Sequence, residues 1–254
     1  MAIRAVLFDL GNTLWHIPEP PPAEQIRHET VSRILRLLRS WDMEPQDEHR
    51  FLGRDIRLTI TAADRRAYET DCLSPDFTAL VGQVAAEKGL ELTPEQAHQL
   101  WDTWNLEGAF FGRRLFDGAV EALAALREQG YRVGCVTNRA FGGPRFLSEV
   151  EGHGLADLFD AMSVSCELGY MKPHPRIFQH ALEILDVSPR ETVMVGDSLR
   201  ADVAGAQALG MTAVWRRYRA TIEEADGIVP DFVVDELSEV PGLPCFQNGA
   251  PPAG

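Results

Sequence analysis

From about residue 115 onward, short apolar runs alternate with stretches whose apolar positions recur every three or four residues. That alternation is the sequence form of βαβ units carrying a parallel sheet. Tyr131 to Val136, Ala161 to Val164, Thr192 to Val195, Thr212 to Trp215 and Phe232 to Val234 predict strands. Asp117-Gly118 opens a helix whose Val120, Leu123, Ala124 and Leu126 share a face, and Gly130 stops it. Further helices are predicted near 142–153, 174–185 and 199–209. With the run Ile3 to Phe8 added, the sheet has five or six strands, and the fold class is α/β.

Residues 15–113 break this rhythm, with helix-period segments and no convincing strand. They predict an all-helical insertion. Pro18-Glu19-Pro20-Pro21-Pro22 is a stiff spacer out of the first strand, and a helix with Ile26, Ile34, Leu35 and Leu38 on one side follows. Thr93-Pro94-Glu95-Gln96 has the form of a capping box, starting a helix with Leu100, Trp101 and Trp104. The expected division is a core of residues 1–14 and 114–240, an insertion of 15–113, and a flexible Pro- and Gly-rich tail of 241–254.

The 254 residues carry 24 Lys and Arg against 38 Asp and Glu, a net charge of −14, which disfavours nucleic acid and anionic lipid as partners. A small anionic ligand stays open, because a metal ion and a few cations can reverse the field inside a cleft. Cys72, Cys135, Cys166 and Cys245 lie far apart, and they read as reduced thiols without a role. No apolar run approaches the ~18 residues of a membrane span, so a cytoplasmic protein is expected.

Two strands end in carboxylates. Asp9 closes Val6-Leu7-Phe8 and precedes a Gly11 turn, where parallel sheets bind ligands; taken alone, it equally fits a turn aspartate capping Asn12 or Thr13. Asp197 closes Val193-Met194-Val195-Gly196, with Asp202 five residues on. That pair can share a hard cation such as Mg²⁺, or simply cap the following helix. Thr137 and Asn138 end another strand and offer a hydroxyl and an amide to a phosphoryl oxygen. Lys172 lies in the proline-pinned loop Gly169 to Pro175 and can neutralise charge between a carboxylate and a phosphate. Each signal is ordinary by itself, but all four strand ends converge on one edge of one sheet.

Phe-Asp-Leu-Gly-Asn-Thr-Leu, Val-Thr-Asn, Lys-Pro-His-Pro and Val-Gly-Asp-Ser-Leu-Arg-Ala-Asp, in this order, resemble the motifs of the haloacid dehalogenase superfamily. The resemblance covers residues 1–14 and roughly 114–235. It implies a Rossmann-like core with Asp9 as covalent nucleophile, Thr137 and Lys172 gripping the transferring group, and Asp197 and Asp202 serving a Mg²⁺ site. It also implies that the helical insertion is a cap over the cleft, and that the substrate is a small phosphorylated molecule.

One position departs from the pattern. Phosphatases of the superfamily usually carry a second Asp two residues after the nucleophile, as leaving-group acid and water-activating base; here that residue is Gly11. The Gly11 carbonyl can still ligate a metal, but a group worth typically ~10²–10⁴-fold in rate is missing. His16 and His174 are candidate substitutes. A metal-independent 2-haloacid dehalogenase and a non-catalytic phosphate-ligand-binding protein are the alternative readings. Arg54, Arg57, Arg65 and Arg66 in the insertion, and Trp101, Trp104, Phe110 and Phe111, read first as a solvated face and as packing, and specify no substrate.

Overall fold

In a computed structural model, which describes residues 2–218 and 227–247, the chain begins β1 (Ala5–Phe8), β2 (Trp15–His16), α1 (Ala23–Ser40), α2 (Leu52–Glu69), α3 (Phe77–Ala86) and α4 (Pro94–Trp104). It continues β3 (Arg114–Leu115), α5 (Ala119–Glu128), β4 (Arg132–Thr137), α6 (Gly143–Gly152), β5 (Ala161–Val164) and α7 (Ser165–Leu168). Then come α8 (Pro175–Leu185), β6 (Thr192–Gly196), α9 (Gly205–Leu209), β7 (Thr212–Arg216) and β8 (Phe232–Val234). No helix among the described residues is long and apolar enough to cross a membrane.

Six strands pair in parallel in the order β5-β4-β1-β6-β7-β8. The period-2 geometry of a strand sends alternate residues to opposite faces, and here both faces are covered. Val6 and Phe8 of β1 join one apolar cluster with Leu123 and Leu126 of α5 and Phe146 and Val150 of α6. Ala5 and Leu7 join the other, with Ile177, Phe178, Ala181 and Leu182 of α8. The result is an α/β core with helices on both faces, and its strands read as continuous apolar runs for that reason.

The chain divides into two compact units, Met1–His16 with Cys72–Ser74 and Arg114–Gly254, and Ile17–Asp71 with Pro75–Arg113. Two segments of the expected insertion therefore pack with the core. Trp15–His16 pairs antiparallel with Arg114–Leu115. Leu73 bridges Tyr170, through hydrogen bonds from Met171 N–H to the Cys72 carbonyl at 2.8 Å and from Ser74 N–H to the Gly169 carbonyl at 3.0 Å. Two-residue strands and one-residue bridges are too short to leave a periodic signal.

Among its described residues the second unit is helical, as α1 to α4 with a short 3-10 turn at Asp47–Phe51. Thr93 and Gln96 form the expected capping box. In α1 the buried stripe is Thr30, Ile34 and Leu38, with Ile26 and Leu35 only half-buried; Thr30 is tolerated inside because its hydroxyl donates to the Ile26 carbonyl at 2.7 Å. Arg54, Arg57, Arg65 and Arg66 are solvated. Trp101 stacks against Phe77 and Trp104, and the Trp104 indole donates to the Gly53 carbonyl at 2.8 Å, so these aromatics are packing.

The tail corrects an expectation. 3-10 turns at Leu237–Gly242 and Pro244–Phe246 run into it, Phe246 is buried, and Tyr131 donates to its carbonyl at 2.8 Å. Proline and glycine composition hid this anchor, because one buried aromatic suffices to dock a short segment. Residues 248–254 lie outside the described ones. The four cysteines are free thiols, and burial pushes Cys166 and Cys245 up to about 11, leaving little thiolate near neutral pH.

Candidate active site

β1 delivers Asp9 directly, and the Asp9 N–H extends the ladder to the Val195 carbonyl of β6 at 2.9 Å. The chain then turns sharply. The N–H groups of Thr13, Leu14 and Trp15 converge on the Leu10 carbonyl at 3.3, 2.9 and 3.0 Å, and Asn12 N–H returns to the Trp15 carbonyl at 2.8 Å. This turn holds Asn12 at a φ of 56°, a left-handed conformation that Asn tolerates better than most residues. It also aims Thr13 Oγ1 at Asp9 Oδ2, 3.3 Å away.

On the neighbouring strand, β6 stops at Gly196 and Asp197 follows. The Trp215 indole donates to the Asp197 carbonyl at 2.9 Å. The predicted helix over 199–209 is divided: Leu199–Ala204 is a π-helical turn and α9 is regular. Such wide turns are common at functional sites. This one brings Asp202 back to the strand end, where Asp202 Oδ2 accepts from Ser198 N–H at 2.9 Å while Ser198 Oγ caps Ala201 N–H at 3.1 Å. A Cβ at Gly196 would collide with the Asp202 carboxylate, so only glycine permits this approach.

Lys172 reaches into the middle with only 2% exposure. Its Nζ lies 2.6 Å from Asp9 Oδ1, 2.7 Å from Asp202 Oδ1 and 2.7 Å from the Val136 carbonyl. Burial alone would push the ammonium pKa down, but Asp202 and Asp9 outweigh it and hold Lys172 protonated. Asp9, Asp197 and Asp202 each offer an oxygen within 4.8 Å of the others. Burial, reinforced by Asp9 and Asp202, pushes Asp197 up to about 7, and Asp202 is also raised, chiefly by burial and against the pull of Lys172.

Three carboxylates therefore face one ammonium in a largely buried site. This excess of hard oxygen donors and negative charge fits a divalent cation such as Mg²⁺. The Gly11 carbonyl accepts no hydrogen bond among the described residues.

Asn138 has a structural role that its place after β4 does not announce. Its Oδ1 accepts from Lys172 N–H at 2.7 Å and its Nδ2 donates to the Lys172 carbonyl at 3.0 Å, so the amide braces the lysine loop. Asn138→Ala is expected to cost about 1–3 kcal/mol by leaving two backbone groups unpaired, and to slow turnover as Lys172 loosens. Melting temperature and turnover measured together check this; a raised KM with unchanged melting would instead place Asn138 on the ligand. The Thr137 hydroxyl, buried at the end of β4, has no hydrogen-bond partner among the described residues.

Neither candidate substitute for the missing carboxylate is idle. His174 Nδ1 accepts from Arg176 N–H at 3.2 Å, capping α8. His16 stacks on Phe116 at 4.0 Å, with its Nδ1 3.2 Å from the Tyr218 hydroxyl. In the sequence Asn12 and Thr13 are marked only as turn residues that Asp9 could cap, and the Thr13 Oγ1 contact with Asp9 Oδ2 is a bond of that kind. All residues described here belong to the first compact unit.

A profile of the haloacid dehalogenase-like hydrolases matches residues 3–210. A glyceraldehyde 3-phosphate phosphatase of Methanopyrus kandleri is 27% identical over 241 residues, covering 94% of this chain and 95% of its own. The pyrophosphatase PpaX of Bacillus mycoides is 33% identical over an alignment covering 98% of this chain and all of its own (100%). Among solved structures, a HAD phosphatase from Thermococcus onnurineus is similar with a TM-score of 0.57 and 25% identity, over 94% of this chain and 97% of that one.

Proposed function

The chain belongs to the haloacid dehalogenase-like hydrolase family, and from that premise we propose that it is a Mg²⁺-dependent phosphatase acting on a small phosphorylated metabolite through an aspartyl phosphate at Asp9. The observation that carries this reading is the contact of Lys172 Nζ with Asp9 and Asp202 beside a third carboxylate, Asp197. A nucleophile, a buried cation and a set of hard oxygen donors occur together, as phosphoryl transfer to a carboxylate requires. The names of the similar proteins support phosphatase chemistry and span both a sugar-type monoester and pyrophosphate.

In this reading an Asp9 oxygen bonds to phosphorus as the bond to the leaving oxygen breaks. The electron pair departs with that oxygen, which takes a proton from water. A second water then attacks phosphorus, gives its proton to solvent, releases inorganic phosphate and restores the Asp9 carboxylate. Lys172 offsets repulsion between the anionic nucleophile and the anionic substrate, and the Thr137 hydroxyl donates to a non-bridging oxygen. Asp9, Asp197, Asp202 and the Gly11 carbonyl would hold Mg²⁺, which when bound neutralises phosphate charge and favours in-line geometry.

The test is a panel of aryl, acyl and alkyl phosphates and pyrophosphate, assayed with Mg²⁺ and with chelator. Phosphate release is expected only with Mg²⁺, returning when the metal is restored. Gly11 also suits the dehalogenase reading, which needs no leaving-group proton; halide release from 2-haloacids in chelator would replace the proposal with that one. Stabilisation by Mg²⁺ plus a phosphorylated ligand, without turnover on any member of the panel, would point to a binding protein.

A further inference from the structure

Arg216 ends β7, one strand beyond Asp197, and is only 4% exposed. It makes no ion pair among the described residues, and its Nε is buried without a partner. Its Nη1 donates to the Asn12 carbonyl at 2.9 Å. The guanidinium carbon lies 3.7 Å over the Phe116 ring and 4.9 Å from the Tyr218 ring, while His16 stacks on Phe116. A buried cation that packs on aromatic faces and makes no ion pair among the described residues is a costly way to fill space, since an apolar side chain would do so without desolvating a charge.

Its side-chain hydrogen bond to Asn12 falls on the turn that shapes the site. Asn12 sits at positive φ, and the next residue, Thr13, donates to Asp9. Holding the Asn12 carbonyl fixes the peptide plane that leads into Thr13.

We propose that Arg216 is a positioning residue for the reaction at Asp9, which acts through the Asn12 carbonyl to fix the Leu10–Thr13 turn and never touches the substrate. The reaction is the phosphoryl hydrolysis proposed above, so that part of the inference rests on that reading; the anchoring of the turn does not.

Arg216→Met, which keeps an apolar stem, and Arg216→Lys, which keeps the charge and a donor, are compared with the full-length wild type. The readouts are melting temperature, the Mg²⁺ concentration that half-maximally stabilises the protein, kcat and KM on p-nitrophenyl phosphate, and hydrogen exchange across residues 9–16. For Arg216→Met, kcat is expected to fall roughly 10- to 100-fold, as for a small misplacement of reacting groups, with KM within about threefold. The Mg²⁺ midpoint should rise several-fold and exchange across 9–16 should quicken about tenfold or more, while α8 exchanges as before. Arg216→Lys should recover part of each loss.

Unchanged exchange at 9–16, or a lowered melting temperature with kcat intact, overturns the proposal, as does a raised KM with kcat intact. If Arg216→Met does not fold, the same readings on Arg216→Lys decide, with smaller changes in the same directions expected. If the wild type neither releases phosphate nor responds to Mg²⁺, the phosphatase reading fails, and exchange across 9–16 still decides whether Arg216 anchors the turn.

Discussion

Asp9→Asn is expected to lower phosphate release by roughly four orders of magnitude or more, the scale seen when an enzyme loses its covalent nucleophile. The amide oxygen of Asn can still accept from Lys172, and Lys172 keeps its contacts with Asp202 and the Val136 carbonyl, each at 2.7 Å. The variant should therefore fold and melt within a few degrees of the wild type. Turnover of an aryl phosphate at saturating Mg²⁺, with melting measured on the same preparation, separates loss of chemistry from loss of fold. Activity within tenfold of wild type would remove Asp9 as nucleophile.

Gly11→Asp carries the second largest expected effect, in the direction of gain. Without an acid at this position, aryl and acyl phosphates should react readily and alkyl phosphates should lag, because only the latter need a proton on the departing oxygen. The structure leaves room for the first atom of the missing side chain. Gly11 is not in the left-handed region, and a Cβ there would meet only Asp9 Oδ2, at 4.0 Å. Glycine is thus not demanded by backbone strain, and a carboxylate at 11 would start beside the nucleophile.

The substitution should raise kcat/KM for alkyl phosphates by about 10²–10⁴-fold, the usual worth of a general acid, and for aryl phosphates by far less. Rates on a series of graded leaving-group pKa, before and after the change, measure this. If the wild type already hydrolyses alkyl and aryl esters equally well while the first step limits, another residue supplies the proton. His16 and His174 would then be replaced first, although His174 already caps α8 and His16 is stacked on Phe116.

Much of the fold could be read from one-dimensional pattern. The six strand runs and the helices between them are legible because strands buried on both faces must be apolar throughout, and helices on a sheet must show an apolar stripe. The capping box at Thr93 was legible because its two bonds join residues three apart. Candidate chemistry was legible where it sits at a strand end, as with Asp9, Thr137 and Asp197, since position in a parallel sheet is itself information.

Other features depended on partners distant in the chain. The Asn138 amide bonds the Lys172 backbone 34 residues later, a partner that no local pattern indicates. Phe246 docks a segment that composition marks as flexible, through contacts with Tyr131 at a separation of 115 residues. Arg216 ends an apolar run as a charged residue, and nothing in a pattern of apolar positions marks such a residue as buried over Phe116 and bonded to Asn12.

The sequence by itself determined the α/β class, the helical character of the insertion, the family resemblance and the absence of a carboxylate at position 11, because each is a property of local composition, spacing or residue identity. Only the tertiary structure decided the strand order β5-β4-β1-β6-β7-β8, the meeting of Lys172 with Asp9 and Asp202, and the commitment of Asn138 and Arg216 to backbone carbonyls. These are outcomes of long-range closure, in which a polar group takes whichever partner the packed sheet brings to it. Burial then makes that choice costly to reverse.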